Sequence, residues 1–451
     1  MSAFAMFSLK SPSLLAFQEK RNDENMKSIF KIQTVPSDTH MRTVLDQVEP
    51  DSLFQVFKKV FATLQRWKGL EDMVVYDWHY VISADGTGFF SSNTIHCEHC
   101  MQKIHKTKTK TKWKWKWKWK WKWKWKWKLE WDITLEVNWK LEWKMDWEVD
   151  WIVSWEVEWK SEWTVEYYHQ FLWVSMVHPD KKVVIPFAPE PIMKQDWNNK
   201  NDCERNASKR FLERFRREHP HIKVIMTEDG LAANAPHIKD LQKYNIRFVT
   251  GVKKWDHDFL FNYVYSNSCN PIEYTVIDKD GTINKFRFAN NIPLNTSNQY
   301  VLVDFIEYWE IKPNGSKQYF SWITDIPVTK ENVYTLMKIG RSRWKIENET
   351  FNTLKNQWYH FEHNFWHWYE HLSTNFGIIM MLAFLIDQIQ QKTYPIFQEA
   401  LKKCKTKRSL WEKVRSYFDS FAISSMKELL EAIIYGIRKP SVKDFIGYNS
   451  T

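Results

Sequence analysis

A chain of 451 residues is long enough for two or three domains and a sizeable core. Its 65 Lys and Arg against 54 Asp and Glu leave a net charge of +11, which suggests an acidic partner, nucleic acid being the commonest. Five cysteines (Cys97, Cys100, Cys203, Cys269, Cys404) make an odd, sparse set that argues against a disulfide scaffold and fits a reducing cytoplasm. Residues 1–15 lack the basic start and long apolar run of a signal peptide. The longest apolar run, residues 376–386, is too short to span a bilayer and reads as a buried helix, so no membrane is expected.

In chain order, residues 1–72 read as helical. Residues 48–67 carry Leu53, Val56, Phe57, Val60, Phe61 and Leu64 at helical spacing, with Lys58, Lys59 and Arg66 among them. A small N-terminal domain that grips a DNA backbone or dimerises is the expectation. From Met73 the pattern turns to strand and runs into Asp85-Gly86-Thr87-Gly88. An Asp just past an apolar strand is well placed to ligate a cation at a sheet's end, but Asp-Gly is also the strongest short turn signal. Asp280-Gly281-Thr282 repeats the tripeptide between two alternating runs and reads as a hairpin, so the tripeptide alone decides nothing. His96-Cys97-Glu98-His99-Cys100 offers one Cys-x-x-Cys with two histidines. A zinc site usually needs a second pair, and only His105 lies near.

Residues 107–163 stand apart. Lys and Trp alternate without a break over 112–128, and apolar residues go on alternating with charged ones up to Trp163. Period two over this length means extended strand with one apolar face. Such a β-patterned, low-complexity segment is either a repeat expansion inserted in a loop or an element that binds membranes or stacks on bases. Residues 103–166 hold 16 Lys and 11 acids, a net +5, which leaves +6 for everything else.

The globular pattern resumes at Val165 with two strands. A polar helix over 202–218 follows, with Arg205, Lys209, Arg210, Arg214, Arg216 and Arg217 available to face phosphates. A strand over 221–226 then ends at Glu228-Asp229-Gly230, and a helix and another strand come next. Strand, acid, helix, strand is the grammar of an α/β sheet with its chemistry at the strand's carboxyl end. Residues 256–328 are rich in β signals and read as an insertion. Helix returns at Thr329 and leads into Arg341 to Lys355, where Arg343 and Glu347 stand four apart on one face. That spacing suits an exposed ion pair, or a site in which the carboxylate holds a cation and the Arg meets a phosphate oxygen. His360, His363, His367 and His371 would form a metal-competent row on an unbroken helix, although their Trp- and Phe-rich surroundings argue for packing. Residues 396–451 read as a C-terminal helical segment.

The stretch RSRWKIENETFNTLKNQ, with YHFEHNF and HLSTNF after it, resembles bacterial insertion-sequence DDE transposases of the group with a Tyr-Arg-Glu-Lys signature. So do DGTGFFSS, HCEHC, YYHQ, VHPDKKVVIPFAPEPI, KNDCERNA, TEDGLAANAPHI and SWITDIPVT. The resemblance implies an α/β, RNase H-like core over 73–395, carrying Asp85, Asp229 and Glu347 as catalytic acids and metal ligands. Arg343 matches the signature Arg, Lys355 the signature Lys one residue late, and Gly340 stands where the signature Tyr belongs; Lys345 is a further expected DNA contact. The implied cofactor is Mg²⁺, with Mn²⁺ able to substitute. One ion would activate water or a 3′-hydroxyl and the other would stabilise the leaving oxygen. The implied partners are terminal inverted repeats and target DNA, met as a homodimer. Against the pattern, Trp stands where Gly is expected at 78, 173, 197, 255, 366 and 368, as after mutation of a decaying copy or UGA codons read as Trp.

Overall fold

The computed structural model describes residues 1–97, 100–108, 161–192, 200–266, 269–363 and 370–436. The alternating tract over 109–160, Trp197, Trp366, Trp368 and His367 lie outside them. The described chain opens with helices α1 (Ser2–Ser8), α2 (Leu14–Gln18), α3 (Glu24–Phe30), α4 (Asp38–Asp46) and α5 (Pro50–Arg66). In α5 a Pro in the first turn starts the helix, and Phe54, Phe57, Phe61 and Leu64 form its buried stripe. The stripe is rotated from the expected one, since Phe54 replaces Leu53 as its first member and Val56 is exposed.

Strands β1 (Val74–Tyr76), β2 (His79–Ser92), β3 (Met101–Lys108), β4 (Ser161–Val177), β5 (Ile185–Pro186) and β6 (Glu190–Ile192) follow. Next come α6 (Lys200–Glu218), β7 (Val224–Glu228), α7 (Ala235–Lys243), β8 (Arg247–Gly251) and α8 (Asp258–Tyr265). A meander of β9 (Ile272–Ile277), β10 (Ile283–Pro293), β11 (Leu302–Ile311) and β12 (Lys317–Thr324) leads to α9 (Val333–Arg341), a π-helical turn (Ile346–Phe351) and α10 (Asn352–Asn356). The chain closes on α11 (Leu372–Thr393), α12 (Pro395–Cys404), α13 (Lys407–Ser420) and α14 (Met426–Tyr435).

The main sheet runs β4-β2-β7-β8-β12-β11-β10-β9. β2 is antiparallel to β4, parallel to β7, and β7 is parallel to β8, while β5 and β6 pair with the far side of β4. Three antiparallel strands followed by two parallel ones, joined through helices, is the RNase H-like order. The parallel strands are buried on both faces, which is why β7 reads as the unbroken run Val-Ile-Met-Thr-Glu. The β-rich stretch expected as an insertion extends this same sheet, because β12 pairs with β8 through Trp322, Ile323 and Thr324.

Residues 1–102 and 167–451 form one compact unit, and 103–166 another. The helices before β1 therefore pack with the core, α1, α4 and α5 lying against α11. By length and apolar composition α11 could cross a bilayer, but Phe376, Ile378, Met380 and Phe384 are fully covered, as expected of a core helix. In the smaller unit, His105 Nε2 and Glu166 Oε2 lie 2.6 Å apart.

Candidate active site

Register places the first two acids. Ser83 on β2 stands beside Thr227 on β7 in a parallel pair, and Asp85 and Asp229 each follow two residues later. They therefore lie near each other just past the β2–β7 pairing, where strands are about 4.8 Å apart. Asp85 sits within β2, opposite Trp173 of β4, and the strand continues through Gly86, Thr87 and Gly88 without turning. The second tripeptide behaves differently: Gly281 takes φ +83° in the β9–β10 turn, closed by Asp278 N–H to Thr282 O at 2.9 Å.

Two acids end β7, and their surroundings separate them. Glu228 is buried, with an oxygen 2.6 Å from His237 Nε2 on α7, and the pair holds this histidine's pKa above its ordinary value against burial, which pulls it down. Asp229 is exposed and accepts from Leu231 N–H at 3.0 Å. A small side chain at the strand end could meet a cation; the longer one is a structural partner.

The third acid comes from the stretch after α9. The expected single helix is broken: α9 stops at Arg341, and Glu347 stands in the π-helical turn, a form frequent at functional sites. Ser83 Oγ donates to Arg343 O at 3.2 Å, and Ser175 and Thr350 hydroxyls meet at 3.4 Å, so β2 and β4 seat this segment. Arg343 then bridges two acids, with Nη2 2.7 Å from Glu347 Oε1 and Nη1 3.7 Å from Asp85 Oδ2. Burial pushes Asp85 up to about 7; Arg343 opposes the shift, and Glu347, Asp229 and Glu204 add to it. Glu204 of α6 is a fourth carboxylate that the spacing arguments missed. It accepts from Gln170 Nε2 at 3.0 Å, and a Cβ on Gly86 would meet it at 2.9 Å. The motif KNDCERNA carried the signal without a role for this residue.

Other expectations change. Lys345 is 6 % exposed and donates to Lys181 O at 2.8 Å, so it fastens the 178–182 turn and is not presented to DNA. Lys355 pairs with Glu362 at 3.1 Å with a part-exposed side chain. On α6, Arg214 pairs with Glu190 at 2.7 Å and Arg216 donates to five backbone carbonyls, so these two dock the helix and do not face phosphates. Gly340 leaves no room for the signature Tyr, since a Cβ there would stand 2.4 Å from Trp322 Nε1. The histidine row does not form among the described residues: 357–363 are bends and turns, and His371 precedes α11 beside Glu49. The partner that the sequence proposed for Cys97 and Cys100, His105, is engaged with Glu166; His169 of β4 approaches both sulfurs instead.

Two carboxylates on one cationic side chain, with a third beside Asp85 on an RNase H-like sheet, make the kind of site a polynucleotidyl transferase needs. Residues 178–385 match the family described as transposase DDE domain. The match includes Asp229 and Glu347; Asp85 joins them through the sheet register. No curated protein matches. A solved structure, the piggyBac transposase synaptic complex with hairpin DNA, is similar at TM-score 0.36 and 9 % identity, covering 98 % of this chain and 76 % of that one. DDE transposases use divalent metal ions, and the donor set here fits one. Oxygen ligands suit a hard cation, and an acid whose pKa burial and anionic neighbours have raised ionises more readily when a cation arrives.

Proposed function

We propose that this chain cuts and joins DNA at the ends of its own insertion sequence, with Asp85, Asp229 and Glu347 as the reactive centre. The observation that carries the reading is that Arg343 bridges Asp85 and Glu347 while the parallel pairing of β2 and β7 brings Asp229 near Asp85. They would hold Mg²⁺, with Mn²⁺ as a substitute, and the bound ion supplies Lewis acidity toward the scissile phosphate. Arg343 neutralises the acids in the resting chain. When a strand enters it would leave Glu347 for a phosphate oxygen, a charge-assisted bond of the stronger kind. Lys355 would meet the backbone further along, so that binding weakens as salt rises. The partners in this reading are terminal inverted repeats and target DNA, engaged by a homodimer in a bacterial cytoplasm.

The test is Mg²⁺-dependent cleavage of DNA carrying the element's ends, with Glu347→Gln and Asp280→Asn as paired variants. Glu347→Gln is expected to lose about a hundredfold or more in rate, the scale at which one electrostatic contributor acts. Asp280→Asn, altered in a hairpin turn, should cut like the parent. Equal loss in both variants would remove the assignment. A second reading, an end-binding remnant without chemistry, is favoured by Trp78 and Trp358 at φ +61° and +67°, where glycine is the usual residue. End binding without cutting would select it. Lipid binding lost on deletion of residues 107–163 would instead favour a surface-active or self-assembling protein.

A further inference from the structure

We propose that Cys97, Cys100 and His169 form a zinc site that fastens the outer end of β2 to β4. The two sulfurs are 3.5 Å apart, and His169 Nε2 lies 3.3 Å from Cys97 Sγ and 3.4 Å from Cys100 Sγ. Bond lengths of about 2.3 Å to sulfur and 2.0 Å to nitrogen, set tetrahedrally, place such donors about 3.5–3.8 Å apart. The three atoms therefore already stand within a few tenths of an ångström of the edges of one coordination tetrahedron.

The setting is built for an ion. Cys100 is 1 % exposed and His169 8 %, so the donors are largely screened from water. Cys100 N–H donates to Cys97 O at 3.2 Å, curling the loop so that both sulfurs face one point. Cys97 N–H also donates to Cys100 Sγ at 3.3 Å. The imidazole is stacked on Phe89 with centroids 5.8 Å apart, which fixes the direction of Nε2. Two thiolates and an imidazole in tetrahedral reach select zinc over the hard cation suited to the carboxylates, and four-cysteine clusters are out of reach. A fourth place remains for water or one more side chain.

The site's position gives it a task. His169 belongs to the residue pair opposite Phe90, five residues along β2 from Asp85. In sequence, the cysteines precede residues 107–163 and His169 follows them. A bound ion would hold the strand pair in register beyond Asp85 whatever the intervening sequence does. The ion acts here as a positioning element and touches no reacting atom.

The experiment is metal analysis of the full chain purified under reducing conditions without chelator, followed by replacement with Co²⁺. About one zinc per chain is expected, with cobalt giving visible d–d bands and a near-ultraviolet thiolate-to-metal band. The double variant Cys97→Ser/Cys100→Ser should lose both metal and bands, His169→Ala should release zinc readily to a chromogenic chelator, and Cys269→Ser should match the parent. Zinc content unchanged in the double variant would overturn the proposal. So would a reduced parent chain that binds cobalt without a thiolate band, a readout that does not depend on how any variant folds.

Discussion

Trp78 occupies the second place of a two-residue hairpin between β1 and β2, with Asp77 at φ +39° and Trp78 at φ +61°. Both central residues of such a turn need positive φ, and Asp-Gly is the pair that supplies it without strain. A β-carbon in the left-handed region costs about 1–2 kcal/mol, and this indole is 76 % exposed, so no burial offsets it. Trp78→Gly should therefore raise stability by about 1 kcal/mol, read as a higher urea midpoint at unchanged slope. A lower midpoint would show that the indole contributes something its exposure hides. The same foreign character marks Trp173 and Trp358, whose buried indole N–H groups have no hydrogen-bond partner among the described residues. The sequence reading identified 78 and 173 through the resemblance, but it missed Trp358, where the chain bends at φ +67°. Backbone angle is a property of the folded turn and leaves no mark on composition. For the same reason the tripeptide alone did not separate Asp85 from Asp280: the resemblance singled out Asp85, and the sheet register now places it in a continuous strand.

Between α5 and the end of α6 lies a seam of rings that includes one titratable group. His219 is 8 % exposed, with ring centroids 4.7 Å from Phe61, 5.3 Å from Phe215 and 5.8 Å from Phe187. Burial, helped by Lys58 and Arg216, pushes its pKa down from 6.5 to about 4. The unfolded chain then binds the extra proton at higher pH than the folded one. The associated stability is complete above pH 6.5 and is lost as pH falls from there to about 4. The loss amounts to about 3 kcal/mol at the acid end. His219→Phe should remove this slope, and urea midpoints of variant and parent compared between those pH values measure it. Parallel pH profiles would refute the seam as an acid-sensitive joint. At this scale the sequence was informative where period and burial coincide: β7, α7, β8, α11 and the β9–β12 meander all lie near their expected places. It was poor where a helix changes form. Nothing in Arg341 to Lys355 marks the π-helical turn, which forms where the segment packs on the sheet and Thr350 meets Ser175 of β4. Arginines on α6 misled for a related reason, since a charge on a polar helix reads alike whether it meets solvent or a buried carboxylate.

The whole molecule is tied together by a buried charge that joins segments far apart in sequence. Lys10, fully covered, sits 2.6 Å from Asp387 of α11 and over the rings of Tyr359 and Trp411 at 4.0 and 4.2 Å. The Tyr359 hydroxyl also donates to Asp387. Burial lowers the Lys10 pKa and raises those of Asp387 and Tyr359; the Lys10–Asp387 attraction opposes the first two shifts, and the Asp387 carboxylate adds to the third. Removing one member of such a pair strands the other, which costs about 3–5 kcal/mol, whereas replacing the set with apolar groups of similar volume is often neutral. Lys10→Met is expected to fall in that costly range. Lys10→Met/Asp387→Leu/Tyr359→Phe should recover most of the loss, the non-additivity reporting direct coupling. The network also bears on whether residues 1–72 stand alone as a DNA-binding or dimerisation domain. With α1, α4 and α5 laid on α11 and Lys10 inserted beside Asp387, a chain beginning at Met73 would expose the apolar face of α11 and leave Asp387 without its cation. Such a truncation should fail to unfold cooperatively in urea. A sharp transition with the full-length midpoint would instead establish the first 72 residues as an independent module, and would leave their basic surface free to be the part that grips DNA.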